Sequence, residues 1–233
     1  MKQQPNRMDK VVSLDEALAC FHDGMTLMTG GFGGIGSPPT LIQGILDKGI
    51  KDLFLISSDT AFPHIGVGKL VTERRVRKLI ASHIGSNPHA GAQMTAGEME
   101  VEFCPQGIFA ERVRAGGVGL GGILSDIGLG TIAEQGKQKV RIGEKEYLLE
   151  TPLTAEVAIV YAKKADRFGN LIYDTSARNF NPLVAMAGDL TIVEAEEIVE
   201  TGELDPEQIV TPGVFVDMIV QSEGVNWQWA WEK

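Results

Sequence analysis

One short stretch, residues 25–39, constrains the fold of this chain more than any other. It reads MTLMTGGFGGIGSPP: the apolar segment Met25–Met28 precedes a glycine-rich turn, Gly30–Gly36, and then Thr40–Asp47, whose apolar residues have helical spacing. Glycine is needed where a backbone turns sharply or approaches a ligand closely, because it has no Cβ. The N–H groups at a helix start are unpaired and attract anions. The stretch therefore predicts a strand, a loop and a helix start that bind a phosphate-bearing or oxyanionic ligand near Gly30–Gly36.

Two other interpretations fit the same stretch. Gly31, Gly33 and Gly36 have the spacing G-x-G-x-x-G, and Asp59 follows the next apolar segment, as in dinucleotide-binding sites. The additional glycines and the Ser37-Pro38-Pro39 entry into the helix count against that match. We expect Ser37 to cap the helix and Pro38 to lie in its first turn. The second interpretation is a tight turn between strand and helix that binds nothing.

Apolar segments and amphipathic segments alternate along the chain. Alternation of this kind predicts an α/β fold with three layers, in which helices cover both faces of a mostly parallel sheet. The predicted strands are Met25–Met28, Leu53–Ile56, Lys78–Ala81, Val101–Cys104, Val157–Tyr161 and Leu190–Val193, and the predicted helices are Leu14–Phe21, opened by a capping box at Ser13–Glu16, Thr40–Asp47, Phe109–Arg114 and Leu183–Ala187.

We expect one domain, residues 1–233, because no repeat, low-complexity block or linker divides the chain. Lys139–Ile142 and Glu146–Glu150 flank Gly143 and predict a hairpin, an insertion near residues 137–150. With 43% hydrophobic residues the chain can bury a sizeable core, and its net charge of −10 argues against nucleic acid and anionic membranes as partners. Two widely separated cysteines and no long apolar run predict a cytoplasmic protein.

Motifs spread over nearly the whole chain resemble the alpha subunits of class I coenzyme A transferases. They occur in the order typical of that family, which makes the resemblance specific. The matching blocks are Asp23–Phe32, Gly36–Pro38, Asn87-Pro88, Pro105–Gly107, Glu111–Gly117, Gly119–Gly122, Ser176–Pro182 and Thr211–Gly213.

The resemblance implies the three-layer fold shared with ribose-5-phosphate isomerase and glucosamine-6-phosphate deaminase. It also implies a short-chain acyl-CoA transferase acting on acids such as acetate, butyrate or acetoacetate, with CoA as a substrate and with no permanently bound cofactor or metal. The residues it assigns to CoA are Gly30, Gly31, Phe32, Gly33, Gly34, Ile35 and Gly36, and those it places along the active site are Gly119, Leu120, Gly121, Gly122 and Asn181. The alternative interpretation of this second glycine stretch, Gly116–Gly122, is a helix stop followed by a tight turn.

In such an enzyme a glutamate attacks the acyl-CoA and becomes a glutamyl-CoA thioester, which makes the kinetics ping-pong. The resemblance places that glutamate in a beta subunit, within a Ser-Glu-Asn-Gly block that this sequence lacks. The glutamates at 98, 100, 102 and 111 have polar neighbours typical of a solvated surface. We therefore expect no nucleophile in this chain, and a beta-subunit partner in a heterodimer or an α2β2 tetramer.

Other polar residues give weaker signals. Cys104 is predicted to be an inert buried thiol, and the irregular spacing of His64, His83 and His89 does not indicate a metal site. Two further groups have two possible roles each. One group of cations either binds the CoA phosphates or forms a solvated face: Arg74, Arg75, Arg77 and Lys78. One group of polar residues orients either the site or a subunit contact: Arg178, Asn179 and Asn181.

Trp227, Trp229 and Trp231 alternate with other residues, so an extended segment would place all three indoles on one face. They pack either on their own subunit or against another. For the chain as a whole three hypotheses stay open: a CoA transferase alpha subunit, a nicotinamide-dependent oxidoreductase using Gly31, Gly33, Gly36 and Asp59, and a non-catalytic scaffold whose glycine loop is structural.

Overall fold

A computed structural model describes residues 8–227 of the chain. Its strands are β1 (Thr26–Thr29), β2 (Leu53–Ile56), β3 (Val76–Ala81), β4 (Glu100–Phe103), β5 (Ile123–Ser125), β6 (Lys139–Ile142), β7 (Lys145–Glu150), β8 (Ala155–Asp166), β9 (Leu171–Ile172), β10 (Gly188–Val199) and β11 (Met218–Gln221). Its α-helices are α1 (Leu14–Leu18), α2 (Pro39–Asp47), α3 (Gly68–Thr72), α4 (Pro88–Thr95), α5 (Gln106–Gly117) and α6 (Asn181–Ala187).

The main sheet has the strand order β11-β10-β8-β1-β2-β3-β4, and these seven strands are parallel. The short β9 pairs antiparallel with β8. Strand order reverses between β1 and β8, because the chain adds strands on one side of β1 first and on the other side later. In open α/β sheets, ligands bind at the carboxyl ends of the strands beside such a reversal. The glycine-rich turn follows β1 at this point.

Two apolar clusters cover the two faces of the sheet. One contains the buried residues of α1–α4, and the other contains those of α5 and α6. Neighbouring strand residues alternate between the clusters: Leu27 and Leu55 belong to the first, Met28 and Ile56 to the second. The predicted α/β fold, with helices on both faces of a mostly parallel sheet, is confirmed.

The predicted strands of the main sheet all occur, and β2 has the predicted bounds. The capping box at Ser13 and Glu16 is also present, although α1 ends at Leu18 and not near Phe21. Sequence reasoning missed α3, α4, β5, β9 and β11. These elements have two to eight residues, too few for hydrophobic periodicity to distinguish them from loops.

The predicted hairpin is formed by β6 and β7, joined at Gly143, whose φ of +60° suits glycine. β5 pairs with the other edge of β7, so the three strands make a separate antiparallel sheet. Within residues 8–227, no helix is long and apolar enough to cross a membrane. Nor does this part of the chain hold a group of three or more His, Cys, Asp or Glu side chains that could bind a metal ion.

Candidate active site

The turn after β1, residues 30–36, is the glycine loop. Gly31, Gly33, Gly34 and Gly36 have φ values of +114°, +60°, +96° and +78°, a backbone region that other residues rarely adopt. Phe32 and Ile35 exchange backbone hydrogen bonds of 2.9 and 3.1 Å across the tip. Glycine adopts these angles without the strain that a residue with a Cβ would carry.

Most N–H groups of the glycine loop are already bound within the subunit. Gly31 N–H donates to Asn179 Oδ1 (3.0 Å), and Gly33 N–H donates to Asp59 Oδ2 (2.9 Å). Asp59 also accepts from the N–H of Ala61 at 2.7 Å and is 6% exposed. The carboxylate that would contact a ribose in the dinucleotide interpretation therefore holds the loop in place.

A Cβ added to most of these glycines would collide with the protein itself. It would lie 1.8 Å from Asn181 Oδ1 at Gly30, 2.4 Å from Ser37 Oγ at Gly31, 2.4 Å from Ile65 Cγ2 at Gly34 and 2.4 Å from the Ala177 carbonyl oxygen at Gly36. At Gly33 it would meet nothing within 4 Å. Packing therefore explains the other four glycines, whereas Gly33 faces open space where a ligand can approach.

Asn179 and Asn181 clamp the glycine loop from the other side of the strand reversal. Asn179 Nδ2 donates to the Ile35 carbonyl oxygen at 2.9 Å. Asn181 is fully buried: its Nδ2 donates to the Gly36 carbonyl oxygen (2.9 Å), and its Oδ1 accepts from the N–H of Tyr161 on β8 (3.1 Å). The sequence left open whether Arg178, Asn179 and Asn181 orient the site or a subunit contact, and the structure shows that the two asparagines hold the glycine loop within the subunit.

The start of α2 is occupied by a carboxylate of the protein itself. Glu194 on β10 accepts from Thr40 Oγ1 at 2.8 Å and from the N–H of Leu41 at 3.0 Å. Burial raises the pKa of the Glu194 carboxyl, while hydrogen bonds from Ser222, Leu41 and Thr40 act in the opposite direction. The helix N-terminus is therefore filled by a side chain, and an anionic ligand would have to bind at the loop itself.

The predicted capping role of Ser37 is wrong. The residue at the N-cap is Pro38, which makes no side-chain capping bond, and Pro39 is the first helical residue. Ser37 is 2% exposed, and its Oγ would lie 2.4 Å from a Cβ added at Gly31 and 2.5 Å from one added at Gly66, so its hydroxyl faces these two glycines. The helix is capped instead by Glu194, which is distant in sequence.

We predict that Glu194→Gln lowers the free energy of unfolding by about 1–2 kcal/mol, because an amide NH2 group replaces one of the two buried oxygens that accept hydrogen bonds from Thr40, Leu41 and Ser222. Glu197→Gln on the same strand is the matched control. Glu197 pairs with Lys164 on the surface with 51% of its side chain exposed, so its loss costs less than about 0.5 kcal/mol. Urea unfolding of both variants measures the difference, and equal losses would contradict the assigned cap.

A cavity of about 270 Å³ opens beside the tip of the glycine loop. It lies at the carboxyl ends of β1–β3, where Phe32 on the loop is 52% exposed. Its polar wall is a hydrogen-bonded group: Ser82 Oγ donates to the Ser58 carbonyl oxygen (2.6 Å), and Gln106 Nε2 donates to Ser58 Oγ (3.2 Å). The lining residues are Phe32, Gly33, Asp59, Phe62, Ser82, His83, Ser86 and Gln106.

The second glycine stretch does not reach this cavity. Gly119 follows the end of α5, and the N–H of Leu120 donates to the Ala115 carbonyl oxygen at 2.9 Å, a Schellman helix stop. Gly119, Leu120 and Gly121 are exposed, and Gly122 is half-buried. Asn181 does not line the cavity either, because its side chain holds the glycine loop from behind.

The other titratable candidates have structural surroundings. Cys104 is buried as predicted, and burial raises the pKa of its thiol, which disfavours the reactive thiolate. Arg74 and Arg75 precede β3, at the sheet edge opposite the cavity. The four glutamates with polar neighbours lie in ion pairs: Glu98 with Arg74, Glu100 with Lys78, Glu102 with Arg112 and Glu111 with Arg114.

Comparison with known proteins agrees with the motif blocks. Residues 11–222 match the family model described as coenzyme A transferase. The chain belongs to the coenzyme A transferase family. It is thus part of an enzyme that transfers CoA, and neither a nicotinamide-dependent oxidoreductase nor a non-catalytic scaffold has support.

Three relatives cover almost the whole chain. The chain is 57% identical over 225 residues to a probable coenzyme A transferase subunit alpha of Bacillus subtilis strain 168, covering 96% of this chain and 98% of the relative. It is 52% identical to the acetate CoA-transferase subunit alpha of Escherichia coli K12, with 92% and 97% covered. It is 48% identical to the acetoacetyl-CoA:acetate/butyrate CoA transferase alpha subunit of Clostridium acetobutylicum, with 91% and 97% covered.

Among solved structures, the fold is similar to an acyl-CoA transferase of E. coli O157:H7 crystallised as a thioester complex with CoA. The TM-score is 0.85 at 24% identity, and the match covers 97% of this chain. It spans 53% of that longer chain, about half of its length. This likeness supports the fold.

Sequence reasoning missed Ser82, His83 and Gln106 as cavity residues. Gln106 stands in the Pro105–Gly107 block and His83 was weighed only as a metal ligand. One signal in the sequence could have found them. His83 and Gln106 each follow a predicted strand, and the carboxyl ends of parallel strands lie at the same edge of a sheet, where ligands bind.

Proposed function

We propose that this chain is the alpha subunit of a short-chain acyl-CoA transferase that moves CoA between an acyl-CoA and a free carboxylic acid. The observation that carries the proposal is its full-length similarity to alpha subunits named for acetate, acetoacetate and butyrate. The partner is a beta subunit, which supplies the nucleophilic glutamate. We propose a heterodimer or an α2β2 tetramer in the cytoplasm.

The side chains around the cavity support a nucleophile from elsewhere. Of the residues lining it, Asp59 alone carries a carboxylate, and both of its oxygens accept N–H groups, from Ala61 and Gly33. A carboxylate whose oxygens are bound and buried is a poor attacking group, because attack would break those bonds. The incoming glutamate would reach the open side of the cavity, beside Phe32.

We assign binding of the CoA portion of the thioester to residues 30–36. The cavity lining contains no lysine or arginine, so attraction of an anionic carrier would depend on backbone dipoles. Within the described chain, the N–H groups of Gly34 and Gly36 make no hydrogen bond to the protein. Gly33, which has open space beside it, allows close approach. Gly119–Gly122 could line the same site only where the partner closes over it, since in the subunit they lie on the surface.

The proposed reaction proceeds through two covalent intermediates. The partner's glutamate oxygen attacks the thioester carbonyl carbon, the C–S bond breaks, and the CoA thiolate leaves an acyl-glutamyl anhydride. The thiolate then attacks the glutamyl carbonyl, which releases the carboxylate and forms glutamyl-CoA. An incoming carboxylate reverses both steps. In this scheme the amide of Gln106 and the hydroxyls of Ser82 and Ser86 supply polar contacts to the acyl end.

Trapping the covalent intermediate tests this proposal. The chain is co-expressed with a class I beta subunit, incubated with acetyl-CoA alone and analysed by intact-protein mass spectrometry. We expect a CoA thioester on the beta subunit, no adduct on this chain, and no acyl exchange by this chain in isolation. A thioester carried by this chain, or full activity without a partner, would overturn the proposed division of labour.

A further inference from the structure

The segment after β11, residues 222–227, crosses the exit of the glycine loop, and we refer to it as the C-terminal strap. Ser222 Oγ donates to Glu194 Oε1 at 2.6 Å. The N–H of Glu223 donates to Thr40 Oγ1 at 3.0 Å, and Trp227 Nε1 donates to the Ser37 carbonyl oxygen at 3.2 Å. The strap therefore contacts both the last turn of the loop and the start of α2.

Trp227 also packs on the strand that holds the loop from behind. Its ring lies edge-on to Tyr161, with centroids 4.4 Å apart and an interplanar angle of 79°. The N–H of Tyr161 donates to Asn181, whose amide donates to the carbonyl oxygen of Gly36. One side chain of the strap thus contacts the loop exit directly, at Ser37, and indirectly, through Tyr161 and Asn181. Trp229 and Trp231 lie outside the described residues.

We propose that Trp227 is a positioning residue, which holds the glycine loop in the conformation that accepts the CoA portion of the substrate. The inference rests on the proposed function, because the loop is assigned to CoA there. Trp227 does not line the cavity, so it acts through Ser37 and Tyr161 and not by touching the acyl group. Its loss is expected to weaken thioester binding more than the chemical step.

The direct bond and the ring contact make separate contributions. Trp227→Phe removes the N–H donor and keeps an aromatic ring on Tyr161, so we expect the KM for acetyl-CoA to rise about threefold. Trp227→Ala removes both contacts, and we expect a rise of about tenfold with kcat changed less than about twofold. The control is Val225→Ala, on the same strap and 41% exposed, which should leave both constants unchanged.

Kinetics of the assembled enzyme and hydrogen exchange of the loop test the inference together. In Trp227→Ala, amides of residues 30–41 should exchange faster than in wild type or Val225→Ala. Unchanged KM and unchanged exchange in Trp227→Ala would overturn the positioning role and leave the proposed function intact. Equal losses of kcat in Trp227→Ala and Val225→Ala would also overturn it, since they would indicate a general structural defect.

Failure of the proposed function would give a result that differs from failure of the positioning role. Wild-type enzyme with its partner would then show no acyl exchange from acetyl-CoA at all. The exchange measurement still decides whether Trp227 holds the loop, because it requires no activity. If Trp227→Ala does not fold, Trp227→Phe replaces it in the same measurements of KM and amide exchange, with a smaller expected change in each.

Discussion

Gly33→Ala lowers kcat/KM for acetyl-CoA about 10- to 100-fold in the enzyme assembled with its partner, while the subunit stays folded. The added methyl would meet no protein atom within 4 Å, so it projects into the space assigned to the ligand. Blocking a filled site by one carbon costs about 1–3 kcal/mol, and each 1.4 kcal/mol is about a factor of ten. Steady-state kinetics with acetyl-CoA as the varied substrate measures the effect.

The backbone at Gly33 requires its own control. An alanine at φ +60° is strained by about 1–2 kcal/mol whatever surrounds it. Gly143 has the same φ of +60° and also has nothing within 4 Å, but it lies in the β6–β7 turn. Gly143→Ala should therefore lower the melting temperature as much as Gly33→Ala does and leave the kinetics unchanged. Equal activity of the two variants would exclude a ligand at Gly33.

Asn181→Ala lowers the free energy of unfolding by about 3–4 kcal/mol and raises the KM for acetyl-CoA of the enzyme that remains folded. The fully buried amide satisfies the N–H of Tyr161 and the carbonyl oxygens of Gly36 and Ala177. Leaving each buried group unpaired costs about 1–3 kcal/mol, with partial compensation by relaxation. Urea unfolding gives the stability, and kinetics at a temperature where the variant is folded gives the activity.

Asn87 offers a matched comparison for Asn181. It is 1% exposed, and its side chain contacts the carbonyl oxygens of Thr60 and Gly68 and makes no hydrogen bond to residues 30–36. Asn87→Ala should also destabilise the subunit, but the KM for acetyl-CoA should change by less than about twofold. If both variants alter the KM alike, Asn181 is not specifically a clamp of the glycine loop.

Local sequence patterns predicted the elements that carry the site. Strand β1, the glycine loop and α2 are adjacent in the chain, so their glycines, prolines and apolar spacing report directly on local conformation. The alternation of strands and helices was sufficient for the parallel sheet and its two covered faces. The short elements α3 and α4 were missed because each spans about one or two turns.

The surroundings of the loop could not be predicted in the same way. Helix α2 is capped by Glu194, which is 154 residues from Thr40, and Gly36 is held by Asn181, 145 residues away. Serine is one of the residues preferred at a helix N-cap, so local preference pointed to Ser37. The hydroxyl of Ser37 instead packs in the buried space between Gly31 and Gly66.

The amino-acid sequence by itself determined the strand–loop–helix unit, the three-layer fold and the family, because these depend on neighbours in the chain and on motifs with a set order. Only the tertiary structure decided which glycine of the loop faces open space, which carboxylate fills the helix start and which side chains line the cavity. Those outcomes depend on packing between residues far apart in sequence, where a shift of one or two ångströms separates a collision from an open site.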